Sequence, residues 1–101
     1  MLFSVSMFPI GSGDNLSHPV AEVVDEIDRA RLTYQVSAMD TVIEGDWDTV
    51  MPVIRRAYDR MVAAHERVYL TIAVDEHKRA KARLKGAVAD VARELGRPVS
   101  A

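Results

Sequence analysis

The feature that limits this chain most is the order in which its hydrophobic period switches between strand-like and helical spacing. Leu2–Phe8 alternates, with Phe3, Val5 and Met7 on one face and Ser4 and Ser6 on the other. Pro9 ends that pattern, and Gly11-Ser12-Gly13-Asp14-Asn15 has the composition of a loop. Ser17 stands where an N-cap belongs and Pro19 falls in the first turn, so Val20, Val23, Val24 and Ile27 predict a helix from about His18 to Arg31. Thr33–Met39 alternates again, with Tyr34, Val36 and Ala38 against Gln35 and Ser37. Asp40 is a turn residue, and Thr41–Glu44 is β-branched. Two strands joined this tightly predict an antiparallel hairpin or a closely bent pair.

Gly45 breaks the hairpin, and Asp46 or Asp48 can cap a second helix with Val50, Ile54, Ala57, Met61 and Ala64 as its apolar stripe. Pro52 removes a hydrogen bond from that helix, which predicts a late start or a distorted first turn. Val68–Val74 is a fourth strand with Val68, Leu70, Ile72 and Val74 inward. Lys78–Leu95 is a third helix with Leu84, Val88, Val91 and Leu95 on one stripe. The order βαββαβ with right-handed crossovers predicts an α+β fold: a ferredoxin-like plait with a four-stranded antiparallel sheet, plus a C-terminal helix. At 101 residues the chain has the length of one domain.

Both crossover helices of such a plait lie on one face of the sheet. The other face carries Ser4, Ser6, Gln35, Ser37, Glu44, Tyr69 and Thr71. It must be solvated, covered by the third helix, or stacked on another subunit. It is too polar for a dry core and unusually rich in small hydroxyls. Charge is also unevenly spread. Residues 1–50 hold nine acids against Arg29 and Arg31 (net −7), and the remainder holds eleven bases against six acids (net +5). Opposed poles suit self-assembly, and a dipolar monomer is equally compatible.

Several chemistries lack their residues. Cysteine is absent, so there is no disulfide, thiol nucleophile or thiolate metal site. His18, His65 and His77 are far apart and show no zinc-type spacing, and Asp40, Glu44, Asp46 and Asp48 do not follow the calcium-loop pattern. No metal or other cofactor is expected. No G-x-S-x-G elbow accompanies the histidines. The run His77, Lys78, Arg79, Lys81, Arg83, Lys85 is basic, but only Tyr69 offers a ring on the open sheet face where an RNA-binding sheet stacks bases, so nucleic acid is not expected as a partner. No apolar run reaches the ~20 residues of a membrane span, and Met1–Ile10 has no basic residue ahead of its apolar stretch. A cytoplasmic protein without a membrane partner is expected. The Gly11–Gly13 loop leads into a helix N-terminus, where main-chain N–H groups can hold an anion or simply form a turn at positive φ.

Three segments carry a resemblance. Ser6-Met7-Phe8-Pro9-Ile10-Gly11-Ser12-Gly13, Tyr34 through Met39-Asp40-Thr41-Val42-Ile43-Glu44-Gly45, and Arg67 through Asp75 fall in register with the small thiamine-binding protein family, across essentially the whole chain. The stretch from Met39 to Gly45 is the most specific. The resemblance implies a ferredoxin-like homo-oligomer, a homodimer or homotetramer, that binds thiamine or its hydroxymethylpyrimidine moiety without catalysis. Family members usually carry a glutamate where Ser4 stands, an Arg-rich run where Glu76-His77-Lys78-Arg79 stands, and a lysine near Ala87. An aminopyrimidine presents ring-nitrogen acceptors and an amino donor, which hydroxyls and a carboxylate complement. On that ground Ser6, Ser37 and Thr41 are candidate hydrogen-bonders, Met39 a soft contact to the ring, and Glu44 a partner for the amino group or the thiazolium charge. Gly11 and Ser12 are candidates to receive a phosphate or hydroxymethyl tail. Alternation sets Thr41 on the face opposite Glu44 unless the strand twists at Asp40. The competing reading of these residues is a wet subunit contact in an oligomerisation module with no small ligand.

Overall fold

The computed structural model describes residues 1–79 and 82–100. The elements are β1 (Leu2–Pro9), α1 (Ser17–Arg29), β2 (Thr33–Val36), β3 (Thr41–Glu44), α2 (Trp47–Ala64), β4 (Val68–Asp75) and α3 (Arg83–Leu95). The strands form one antiparallel sheet in the order β2-β3-β1-β4. This is the α+β ferredoxin-like plait expected from the period switches, with α3 added after it.

Alternation along β1 is strict. Phe3, Val5, Met7 and Pro9 are buried while the residues between them are half-exposed. Phe3, Val5 and Met7 join Ile43 of β3, Val23 and Ile27 of α1, and Val50, Val53, Ile54, Ala57 and Met61 of α2 in one core. Phe3, Ile27, Ile43 and Val50 are fully buried, and each such side chain stabilises the fold by roughly 1.5–3 kcal/mol relative to leaving it in water. Trp47 closes one end of this core with its ring 6.1 Å from that of Phe3. Outside the core, Arg60 of α2 reaches Glu22, Asp25 and Glu26 of α1 at 3.0–3.3 Å, and Arg56 approaches Glu26 at 3.9 Å. Part of the charge asymmetry between the two halves of the chain is therefore matched within it, acidic α1 against two arginines of α2.

Several element ends differ from the sequence-based expectation. Ser17 is the first residue of α1 and not its cap; its N–H donates to the Asn15 side chain at 3.0 Å. The helix stops at Arg29, before Arg31, which adopts φ +57°. α2 begins at Trp47 and runs through Pro52, with Asp46 at the N-cap position making no side-chain capping bond. The proline has no N–H to give the carbonyl of Asp48, an exposed residue of the first turn. Ala64 is exposed, and the buried stripe takes in Val53 instead. β2 stops at Val36. On β4, Val74 keeps the inward register opposite Phe3 but stays 41% exposed. α3 starts at Arg83, five residues later than expected. Lys81 of the basic run, like its neighbour Ala80, lies outside the described residues. Leu84 of the α3 stripe is buried, whereas Val91 and Leu95 are exposed.

Candidate functional site

The β2–β3 hairpin is closed by Ser37 N–H donating to the Asp40 carbonyl at 2.8 Å, leaving Ala38 and Met39 as its two-residue tip. The Asp40 carboxylate accepts the Ser37 hydroxyl at 2.6 Å and the Ser4 hydroxyl from β1. These two donors hold its pKa below the ordinary carboxylate value, Ser37 contributing more than Ser4. The carboxylate is ionised at neutral pH and fixes the tip against β1.

Between this tip and α1 lies a cavity of about 290 Å³. Its position follows from strand lengths. β1 pairs with β3 only from Leu2 to Val5, yet with β4 as far as Pro9. The far half of β1 thus has a neighbour on one side and open space on the other, roofed by the start of α1. Val5, Met7, Leu16, Val20 and Val23 supply apolar walls, Ser37, Thr41 and Asp40 supply polar groups near the tip, and Ser6 completes the lining between Val5 and Met7. On the opposite face of the sheet, Ser4, Ser6, Ser37, Met39, Asp40 and Thr71 line a broad, shallow depression. The hairpin tip stands between the two concavities.

Of the residues singled out from sequence, Ser6, Ser37, Met39 and Thr41 come together at the cavity. Thr41 is buried on the helix-facing side and Glu44 lies on the other, as simple alternation requires. Glu44 is also at the far end of β3, where its carboxylate accepts the Arg83 N–H at 2.6 Å. There it serves the first turn of α3, whose own N-cap residue Ala82 has no side chain to do so. Gly11 and Ser12 do not line the cavity. Gly11 and Gly13 hold φ of +86° and +94°, and the Ser12 hydroxyl meets His65 Nδ1 at 3.1 Å at the end of α2. Asp40, read from sequence as a turn residue, is the carboxylate the fold brings to the cavity. Its position three residues after Ser37 in a tight connection was the available signal. Val20 was legible only as a helix residue, and Leu16, at the N-cap position of α1, fell outside the expected helix.

The model of the family described as "Thiamine-binding protein" matches residues 3–92. The chain belongs to the thiamine-binding protein family. Among members of this kind, a UPF0045 protein of Mycobacterium bovis is 36% identical over 99 residues, covering 97% of each chain. A UPF0045 protein of Methanocaldococcus jannaschii is 30% identical over 74 residues, covering 73% of this chain and 74% of that one. Solved structures agree in fold. A hypothetical protein of M. jannaschii superposes with a TM-score of 0.83 at 24% identity, over 89% of this chain and 93% of the other. A protein from Thermotoga maritima whose proposed role is thiamine biosynthesis or salvage gives 0.73 at 16% identity, over 85% and 94%. The match to the family covers the whole hairpin and the cavity beside it. Among the described residues no helix is long and apolar enough to cross a membrane, and no three His, Asp or Glu side chains gather as a metal site.

Proposed function

We propose that this protein binds thiamine, or its hydroxymethylpyrimidine moiety, in the cavity between α1 and the β2–β3 tip, without catalysing a reaction. The observation that carries the reading is the composition of that cavity in a chain of this family: apolar walls with Ser37, Thr41 and the ionised Asp40 at the tip. Its volume, about 290 Å³, is at the low end of small-molecule sites and suits a single substituted heterocycle. The Thr41 hydroxyl can donate to a ring nitrogen or accept from an amino group, and the Ser37 hydroxyl, whose proton is held by Asp40, can accept from an amino group. Asp40 offers negative charge to a thiazolium ring lying toward the mouth, and Met39, 86% exposed at the tip, can fold over the ligand as a soft contact.

The protein acts, on this reading, as a cytoplasmic homo-oligomer, a dimer or tetramer. Support comes from apolar side chains left uncovered in the single chain: Tyr69 at 51%, Val91 at 52% and Leu95 at 43% exposure. The same exposure favours a second reading, an oligomerisation module whose polar sheet face is only a subunit contact. Calorimetric titration of the folded protein with thiamine and with hydroxymethylpyrimidine separates the two. Saturable heat that disappears in a Val20→Trp variant of unchanged circular dichroism supports the binder. Heat at the level of the blank for both compounds leaves the module.

A further inference from the structure

The open half of β1 exposes particular main-chain groups, and the ladder on either side identifies them. Across β1 and β3, Gly45 N–H donates to the Met1 carbonyl at 3.1 Å; across β1 and β4, Ile10 N–H donates to the Arg67 carbonyl at 2.9 Å. Antiparallel ladders alternate, so odd-numbered residues of β1 turn both N–H and C=O toward β3, and even-numbered ones turn theirs toward β4. Met1, Phe3 and Val5 meet β3. Met7 is the next residue to face that way, and β3 has already ended. Opposite Leu70 on β4 it occupies a non-hydrogen-bonded position.

Extending the β1–β3 register by two residues would set Met39 against Met7. The chain instead turns away, with Met39 at the exposed tip and the turn pinned by Ser4 and Ser37 on Asp40. Met7 is only 4% exposed and lines the cavity. A donor and an acceptor thus sit side by side, nearly buried, with no backbone partner among the described residues. Native folds rarely leave such a pair unsatisfied.

We infer that the Met7 N–H and C=O are the recognition edge of the cavity, taking a planar heterocycle with an acceptor and a donor on adjacent atoms, as a 4-aminopyrimidine has. The ring nitrogen accepts from Met7 N–H and the amino group donates to Met7 C=O, so the ligand occupies the place of the missing strand residue. Side-chain hydroxyls then adjust the pose, and the class of ligand is set by the backbone. This rests on the cavity being the ligand site.

The test uses the full-length ¹⁵N-labelled protein, hydroxymethylpyrimidine, and an analogue whose 4-amino group is replaced by methyl. Saturation with hydroxymethylpyrimidine is expected to slow hydrogen exchange at the Met7 amide at least tenfold and move its proton resonance downfield. The methyl analogue, which keeps the acceptor and loses the donor, is expected to bind at least tenfold more weakly. Calorimetric binding with an unchanged Met7 amide, or equal affinity for the two compounds, overturns the inference while leaving the binding function intact. Absence of calorimetric binding by both overturns the binding function and the inference with it.

Discussion

Ser4 and Asp40 lie 36 residues apart, and the hydroxyl of the first donates to the carboxylate of the second. That contact ties the central strand to the tip of the neighbouring hairpin. The tip so placed lines the cavity beside α1. The same carboxylate bonds Ser37 within the hairpin, so one side chain sets both the turn and its position.

Replacing Asp40 by Ala removes the acceptor of both hydroxyls. Hydrogen bonds to a charged group contribute about 1.5–3 kcal/mol when buried, and partial exposure reduces the expected loss here to about 1 kcal/mol. Chemical denaturation measures it. On the proposed function, affinity for cationic thiamine falls by about tenfold, one charge interaction's worth of ~1.4 kcal/mol, and affinity for uncharged hydroxymethylpyrimidine falls less. Equal losses for the two compounds would remove Asp40 from contact with the thiazolium ring.

Acid should weaken the fold through the same group. Its folded pKa is depressed by Ser37 and Ser4, so its contribution is fully present above the unfolded value of about 3.9 and is lost as pH falls through the lower folded value. Asp25, lowered chiefly by Arg60, and Asp90, lowered chiefly by Arg83, act in the same direction. Melting temperature is therefore expected to drop below about pH 4. The Asp40→Asn variant should melt below the wild type at pH 7, the two curves converging in strong acid. A constant gap between them across that range would show that Asp40 is not titrating with the fold.

Glu44→Gln separates a role in α3 from a role at the ligand. The carboxylate sits at the N-terminus of α3 on the Arg83 N–H, an arrangement worth roughly 0.3–1 kcal/mol. The variant is expected to lose that much, read as reduced helical ellipticity and a slightly lower melting temperature. Ligand affinity should stay within about twofold, an energy below ~0.5 kcal/mol. A larger loss of binding would return Glu44 to the ligand site.

Gly45→Ala probes the close approach of β3 to α2. A Cβ there would lie 2.7 Å from Val50 Cγ2, and Val50 is fully buried. Overpacking of this kind costs typically 1–3 kcal/mol, so melting should occur about 4–8 °C lower for each kcal/mol lost. An unchanged melting temperature would mean that Val50 moves aside without penalty.

The plait was readable because its causes are local. Burial on one side of a strand imposes a period of two, as on Phe3, Val5 and Met7, and burial on one side of a helix imposes 3.6, as on Val20, Val23 and Ile27. Where an end depends on what surrounds it, that legibility stops. The start of α1 is served by Asn15 instead of Ser17, and the start of α3 by Glu44, 39 residues away. The candidate site divides in the same way. Ser6, Ser37, Met39 and Thr41 could be named from their chemistry and from family resemblance, and all four line the cavity. Glu44, named on the same grounds, lies at the other end of its strand, because alternation states which face a residue occupies and not where along the sheet its neighbours end.

What the amino-acid order determined by itself was therefore the set of elements, their sequence and their buried faces, all of which follow from short-range periodicity. The cavity was decided only in three dimensions. It exists because β1 outlasts β3 by four residues and because α1 crosses above the gap. Each of those is a relation between segments distant in the chain, set by register and packing, which no local pattern encodes.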